Sequence, residues 1–185
     1  MGSVLENMLV NNVLWPKFDF TNSDDWNLLV GDLGETFFKH YSNRKEYAYA
    51  RAEDVGWEFI HKKVIRFKKG FHRIDVRIPD ELRQLLTEIT EPNPDFPKTP
   101  AYSFDFITCV IDNSELETPS SRYVVEDKDL ARFTIVEVKT RGSRLTRNEL
   151  RVKQLCRTQK VRYRLYRIIG IDSNPVKEWD LRVEE

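Results

Sequence analysis

Only two cysteines, Cys109 and Cys156, occur among the 185 residues. Each sits in an apolar periodic stretch, which suits a small buried hydrophobe in a reducing compartment rather than a disulfide framework. Long hydrophobic runs are missing as well. The apolar opening, residues 4–15, is broken by Glu6, Asn7, Asn11 and Asn12 and has no basic flank, so it fits neither a signal peptide nor a membrane span. Together these absences predict a cytoplasmic, intracellular protein with no membrane partner. The three histidines, His40, His61 and His72, lack zinc-ligand spacing and any cysteine partner. Neither a Gly-rich phosphate loop ending in Gly-Lys-Ser/Thr nor a Gly-x-Ser-x-Gly elbow is present, so nucleotide hydrolysis and serine-elbow hydrolysis find no support.

What the chain does have is a globular composition, 40% apolar and 32% charged with many aromatics, at a length that suits one domain spanning residues 1–185. The net charge of zero hides a strong asymmetry. Residues 132–167 hold twelve Lys/Arg against Glu137 and Glu149, and residues 62–77 hold seven against Asp75 alone. Positive charge concentrated on an otherwise acidic chain points to a face that meets a polyanion, although solvated faces of a helix and strands would produce the same count.

Periodicity organises the chain into an N-terminal amphipathic segment (residues 1–20), a core (24–169) and a C-terminal edge strand or tail (171–185). Leu5, Met8, Leu9 and Val13 fall at helical spacing and dock either on the core or on a second subunit. A long helix is expected over 24–42, capped by Asn22 or Ser23. A strand hairpin over 57–78 turns at Lys69-Gly70, and a short helix over 80–89 follows. The prolines of 91–100 and the polar stretch 112–121 read as inserted loops. Strands follow over 102–111 and 132–140. Thr146 with Glu149 forms a capping box, and Leu145 with Leu150 a hydrophobic staple, which predicts a helix over 147–158. A strand over 161–169 and an alternation at Trp179, Leu181 and Val183 complete the order. This pattern predicts an α/β sandwich, a central mixed β-sheet flanked by helices.

Within that order Asp105 stands between apolar strand residues, and Glu137 and Lys139 stand two apart on the next strand, hence on one face. A carboxylate inside a hydrophobic strand needs a cation or donors to hold its charge. Two such acids on neighbouring strands suit a hard divalent ion, and the adjacent ammonium suits orienting or deprotonating a water. Glu126-Asp127-Lys128 satisfies the same triplet, but in a polar run that reads as a solvated loop.

With an Asp, then Glu-x-Lys, then a capped helix and a strand, the chain resembles the PD-(D/E)xK, restriction-endonuclease-like nuclease superfamily over residues 24–169. At Gly31-Asp32-Leu33-Gly34-Glu35 it is similar to the archaeal-type Holliday-junction resolvase branch. Pro100, however, stands five residues before Asp105 rather than beside it, and the segment ahead of Asp105 is longer than in a minimal resolvase. The resemblance implies a Mg²⁺-dependent endonuclease on DNA, with Mn²⁺ as substitute, working as a homodimer on junction or branched substrates. Asp105 and Glu137 would be metal ligands, Lys139 the water-activating group, and Glu35 an additional active-site acid with Asp32 as its substitute. Arg141, Arg144, Arg147, Arg151, Lys153 and Gln154 would contact the nucleic acid. A non-cleaving nucleic-acid module on the same fold, or a basic protein-interaction domain, are the alternatives from other classes.

Overall fold

The computed structural model describes residues 23–43, 45, 47–56, 62–91, 101–112, 122–125, 129–140, 142–169 and 180–184. The expected N-terminal turn, the strand residues 57–60, most of the two inserted loops, residues 126–128 and Arg141 lie outside them. Among the described residues there are three α-helices: α1 (Ser23–Asn43), α2 (Asp80–Ile89) and α3 (Arg147–Thr158). The strands in chain order are β1 (Tyr47–Arg51), β2 (Val64–Lys69), β3 (His72–Arg77), β4 (Thr90–Glu91), β5 (Ala101–Tyr102), β6 (Phe106–Val110), β7 (Arg122–Val125), β8 (Phe133–Thr140), β9 (Arg162–Ile169) and β10 (Asp180–Glu184). The class is α/β, as the element order predicts. No described helix is long and apolar enough to cross a membrane.

Two compact units divide the chain. The larger holds Lys39–Glu137 and Leu145–Arg164, and the smaller holds the described residues up to Phe38 with Val138–Arg144 and Leu165–Glu184. In the larger unit the strands run in the order β8-β6-β1-β2-β3-β7. All these pairs are antiparallel except β3 with β7, which makes the sheet mixed. In the smaller unit β10 pairs antiparallel with β9, Leu181 opposite Ile168.

The register explains the core. Ala48, Cys109 and Phe133 line up across β1, β6 and β8, as do Ala50, Ile107 and Ile135. All six are buried, so one face of three adjacent strands is a continuous apolar layer. Helix α2 contributes Leu82, Leu85, Leu86 and Ile89, one buried stripe at helical spacing, each worth roughly 1.5–3 kcal/mol on burial. Cys109 and Cys156 are both buried and neither forms a disulfide, as their apolar settings predict, and burial pushes the Cys156 thiol up to about 12.

Tight turns set the ends of two elements. Lys69 pairs with His72, leaving Gly70 and Phe71 as a two-residue loop, and Gly70 takes φ +59°, the arrangement of a type II′ hairpin turn. At the end of α3, Val161 N–H donates to Cys156 O and Lys160 N–H to Arg157 O, with Lys160 at φ 59°. That is the Schellman termination, with lysine in the left-handed position glycine usually fills.

Candidate active site

The two apolar rows of the sheet end in acids. One step further along the same face the register would align Ala52, Asp105 and Glu137. Ala52 N–H still donates to Asp105 O at 2.9 Å. On the other side the ladder slips, because Asp105 N–H donates to Val136 O at 3.1 Å while Phe106 already stands opposite Val136. Two residues facing one is the count that defines a β-bulge, a device that re-aims a side chain beside a functional site. The expected strand over 102–111 is accordingly interrupted. Residues 103–105 bend between β5 and β6, and Asp105 stands on that bend rather than within a strand. Its side chain is half-buried, whereas Glu137 retains only 2% exposure.

Tyr163 sits on β9, the next strand beyond β8 in the sheet order, and joins the acids to helix α3. Its side chain is buried, and its hydroxyl oxygen has no hydrogen-bond partner among the described residues. Burial drives the phenol well above its ordinary pKa, and the negative charges of Glu137, Glu149 and Asp105 raise it further. The hydroxyl is therefore protonated at every working pH, a donor placed within electrostatic reach of both carboxylates. Lys153 Nζ lies 5.7 Å from the Tyr163 ring centroid, a cation over an aromatic face. Nothing in the alternation around Tyr163 marks it as more than a core tyrosine, and its role was not legible in the sequence.

Strand β8 carries Glu137 and Lys139 two positions apart, so the strand itself puts them on one face. In the smaller unit, a Cβ built on Gly34 would lie 2.5 Å from Thr140 Cγ2 and 3.7 Å from Val138 Cγ1. Helix α1 thus abuts the Val138–Thr140 side of the strand, and alternation sends half-buried Lys139 to the other side. Glu35, next to Gly34, is half-buried on that helix, and Asp32 is exposed.

The basic residues divide sharply. Arg144 and Arg147 are exposed, Lys153 is half-buried and Gln154 exposed. Arg151, expected at a phosphate, instead donates through Nη2 to Glu88 O at 3.0 Å and so caps the C-terminal end of α2. Thr146 and Glu149 make the capping box reciprocally, Thr146 N–H donating to Glu149 Oε2 at 2.7 Å and Glu149 N–H to Thr146 Oγ1 at 3.3 Å. This fixes where α3 begins and therefore which of its side chains flank Tyr163.

No group of three or more His, Cys, Asp and Glu poised to hold a metal occurs among the described residues. What is present in the larger unit is a carboxylate pair, Asp105 and Glu137, with the Tyr163 hydroxyl within electrostatic reach. That donor set fits a hard divalent ion, which takes one or two carboxylates and completes its shell with water and phosphate oxygens. It does not suit a soft metal, since it offers oxygen donors and no thiolate or thioether. Set against family models, curated proteins and solved structures, the chain matches none of them.

Proposed function

We propose that the chain is a metal-dependent endonuclease that hydrolyses DNA phosphodiester bonds, with a preference for junction or branched substrates. The observation that carries this reading is the replacement of an apolar sheet row by Asp105 and Glu137, with Glu137 almost fully buried and Asp105 on a bulge beside it. An acid held at 2% exposure is a costly choice unless it works with a cation. Asp105 and Glu137 would hold a Mg²⁺ ion, which supplies Lewis-acid stabilisation of charge on a phosphate. Lys139, on the face of Glu137, would orient the attacking water and, as the neutral amine, take up its proton. The Tyr163 hydroxyl donates towards oxygen at the acids, and Arg144 and Arg147 hold the strand's phosphates.

A nicking assay on branched and supercoiled DNA in Mg²⁺ or Mn²⁺, with and without chelator, tests this directly. Wild-type cleavage should vanish on chelation. Asp105→Asn and Glu137→Gln should each collapse cleavage while leaving the fold as stable or more so, because neutralising one of two neighbouring acids relieves repulsion. Lys139→Ala should lower turnover by roughly 10²- to 10⁴-fold with DNA binding retained. DNA binding without cleavage in either metal would make the chain a non-cleaving nucleic-acid module, and full activity in Glu137→Gln would remove this site.

A further inference from the structure

An open cavity of about 440 Å³ lies on the flank of α3, within the size range of small-ligand sites. Its wall on the helix is Leu150, Lys153, Gln154 and Arg157, positions that share one helical face, and Val161 and Tyr163 close it from the chain entering β9. The Schellman turn at Lys160 positions those last two. The chemistry of the wall is divided. Leu150, Val161 and the Tyr163 ring are apolar, Lys153 and Arg157 are cationic, Gln154 offers an amide donor and acceptor, and no acid contributes. Leu150 is among the few large apolar side chains left exposed, at 53%, and its exposed surface belongs to this cavity.

Tyr163 belongs to both the cavity and the acid site. Its ring forms cavity wall, and its charge environment is that of Glu137 and Asp105. The cavity and the carboxylates thus share Tyr163, which lines the one and lies within electrostatic reach of the other. We infer that the cavity receives the base of an unpaired nucleotide adjoining the phosphate held at Asp105 and Glu137. The flat base lies against Leu150 and Val161, its own phosphate meets Lys153 and Arg157, and the Gln154 amide faces the base edge. Duplex bases are stacked and paired and do not enter such a site without paying for extrusion, so DNA with an unpaired base at that position is selected. The inference rests on the nucleic-acid reading above and adds the substrate feature that the site selects.

The test is equilibrium binding with chelator present, so that cleavage plays no part. Three duplexes of equal length serve as probes: one fully paired, one with a single unpaired adenine, and one with an abasic residue at that position. The unpaired-adenine duplex should bind roughly 5- to 150-fold tighter than the abasic one, the span of one stacked base. Leu150→Asp, on an exposed helical position where folding should tolerate it, should erase that difference, while the added charge weakens the fully paired and abasic duplexes alike. Tyr163→Leu should erase that difference too if thermal melting shows it folded. Equal binding of all three duplexes overturns the inference, as does a base preference that survives Leu150→Asp. Tighter binding of deoxyadenosine monophosphate than of any duplex overturns it in favour of a free nucleotide. Metal-dependent cleavage without base preference would refute the cavity alone, and base preference without cleavage would refute the nuclease reading alone.

Discussion

Two stretches of this chain look alike as charge counts and behave differently as surfaces. In the β2–β3 hairpin region the cations are matched by acids close by. Lys63 meets Asp80 at 2.9 Å, Arg66 meets Asp75 at 2.8 Å and Lys68 meets Asp54 at 3.3 Å. Those acids come from a neighbouring strand, a turn and the start of α2, so three of the seven cations of residues 62–77 are neutralised once the chain folds. The Lys63 hydrogen bond even holds the exposed Asp80 carboxyl below its usual range. Along α3, by contrast, Arg147 and Arg157 are exposed and have no ion-pair partner among the described residues. A run of cations marks a polyanion site only where folding leaves it uncompensated.

The largest effect should come from the uncompensated side. Arg147→Ala with Arg157→Ala should flatten the log–log salt dependence of DNA binding by nearly two, at about 0.9 per phosphate, and weaken binding roughly 60-fold at 0.1 M salt. Lys63→Ala with Lys68→Ala should change that slope by less than about half a unit, and an equal change would abolish the distinction between the two stretches. Stability should respond in the opposite sense. Arg66→Ala deprives a buried carboxylate of its partner and should cost roughly 1–3 kcal/mol in urea denaturation, whereas Arg147→Ala should stay within about 0.5 kcal/mol. Arg151 sharpens the contrast within α3 itself. Arg151→Ala should cost about 0.5–1.5 kcal/mol through loss of the Glu88 carbonyl contact, while the salt slope barely moves. Smallest of all, Lys160→Gly should remove a cation yet raise stability by about 0.5 kcal/mol, because glycine takes a left-handed φ without strain. A lower melting temperature in that variant would contradict the Schellman account.

Helix α3 shows what was legible and why. Its first residue follows from Thr146 and Glu149, a signature that is local in sequence and so survives without tertiary information. Its last turn carries no such signature, since Lys160 occupies the position that a glycine would have announced. Helix α2 and β8 were likewise readable from local pattern and turn residues. Strand β1 was not. Tyr-Ala-Tyr-Ala-Arg alternates weakly in hydrophobicity, and alanine favours helices, yet pairing with β2 and β6 makes it a central strand with Ala48 and Ala50 fully covered. For the candidate site, Asp105, Glu137 and Lys139 stood out as charges among apolar residues. The bulge at Asp105 and the approach of Tyr163 did not, because both depend on which residues of other strands stand opposite. The hydrogen bond of Arg151 was hidden for the same reason, its partner being a backbone carbonyl 63 residues away.

Gly34 offers a way to switch this protein off by temperature. A methyl group there would meet Thr140 Cγ2, and a β-branched side chain on a strand has little rotamer freedom with which to move aside. Alanine would gain about 1 kcal/mol of helix propensity and lose roughly 1–3 kcal/mol to crowding, a balance near the edge of tolerance. Gly34→Ala is therefore a rational conditional allele: folded at a permissive temperature, displaced at Thr140 and its neighbour Lys139 as heat weakens the remaining packing. Its defect would arise without touching any acid, and would be seen as wild-type function at low temperature that fails on warming before the wild-type protein melts.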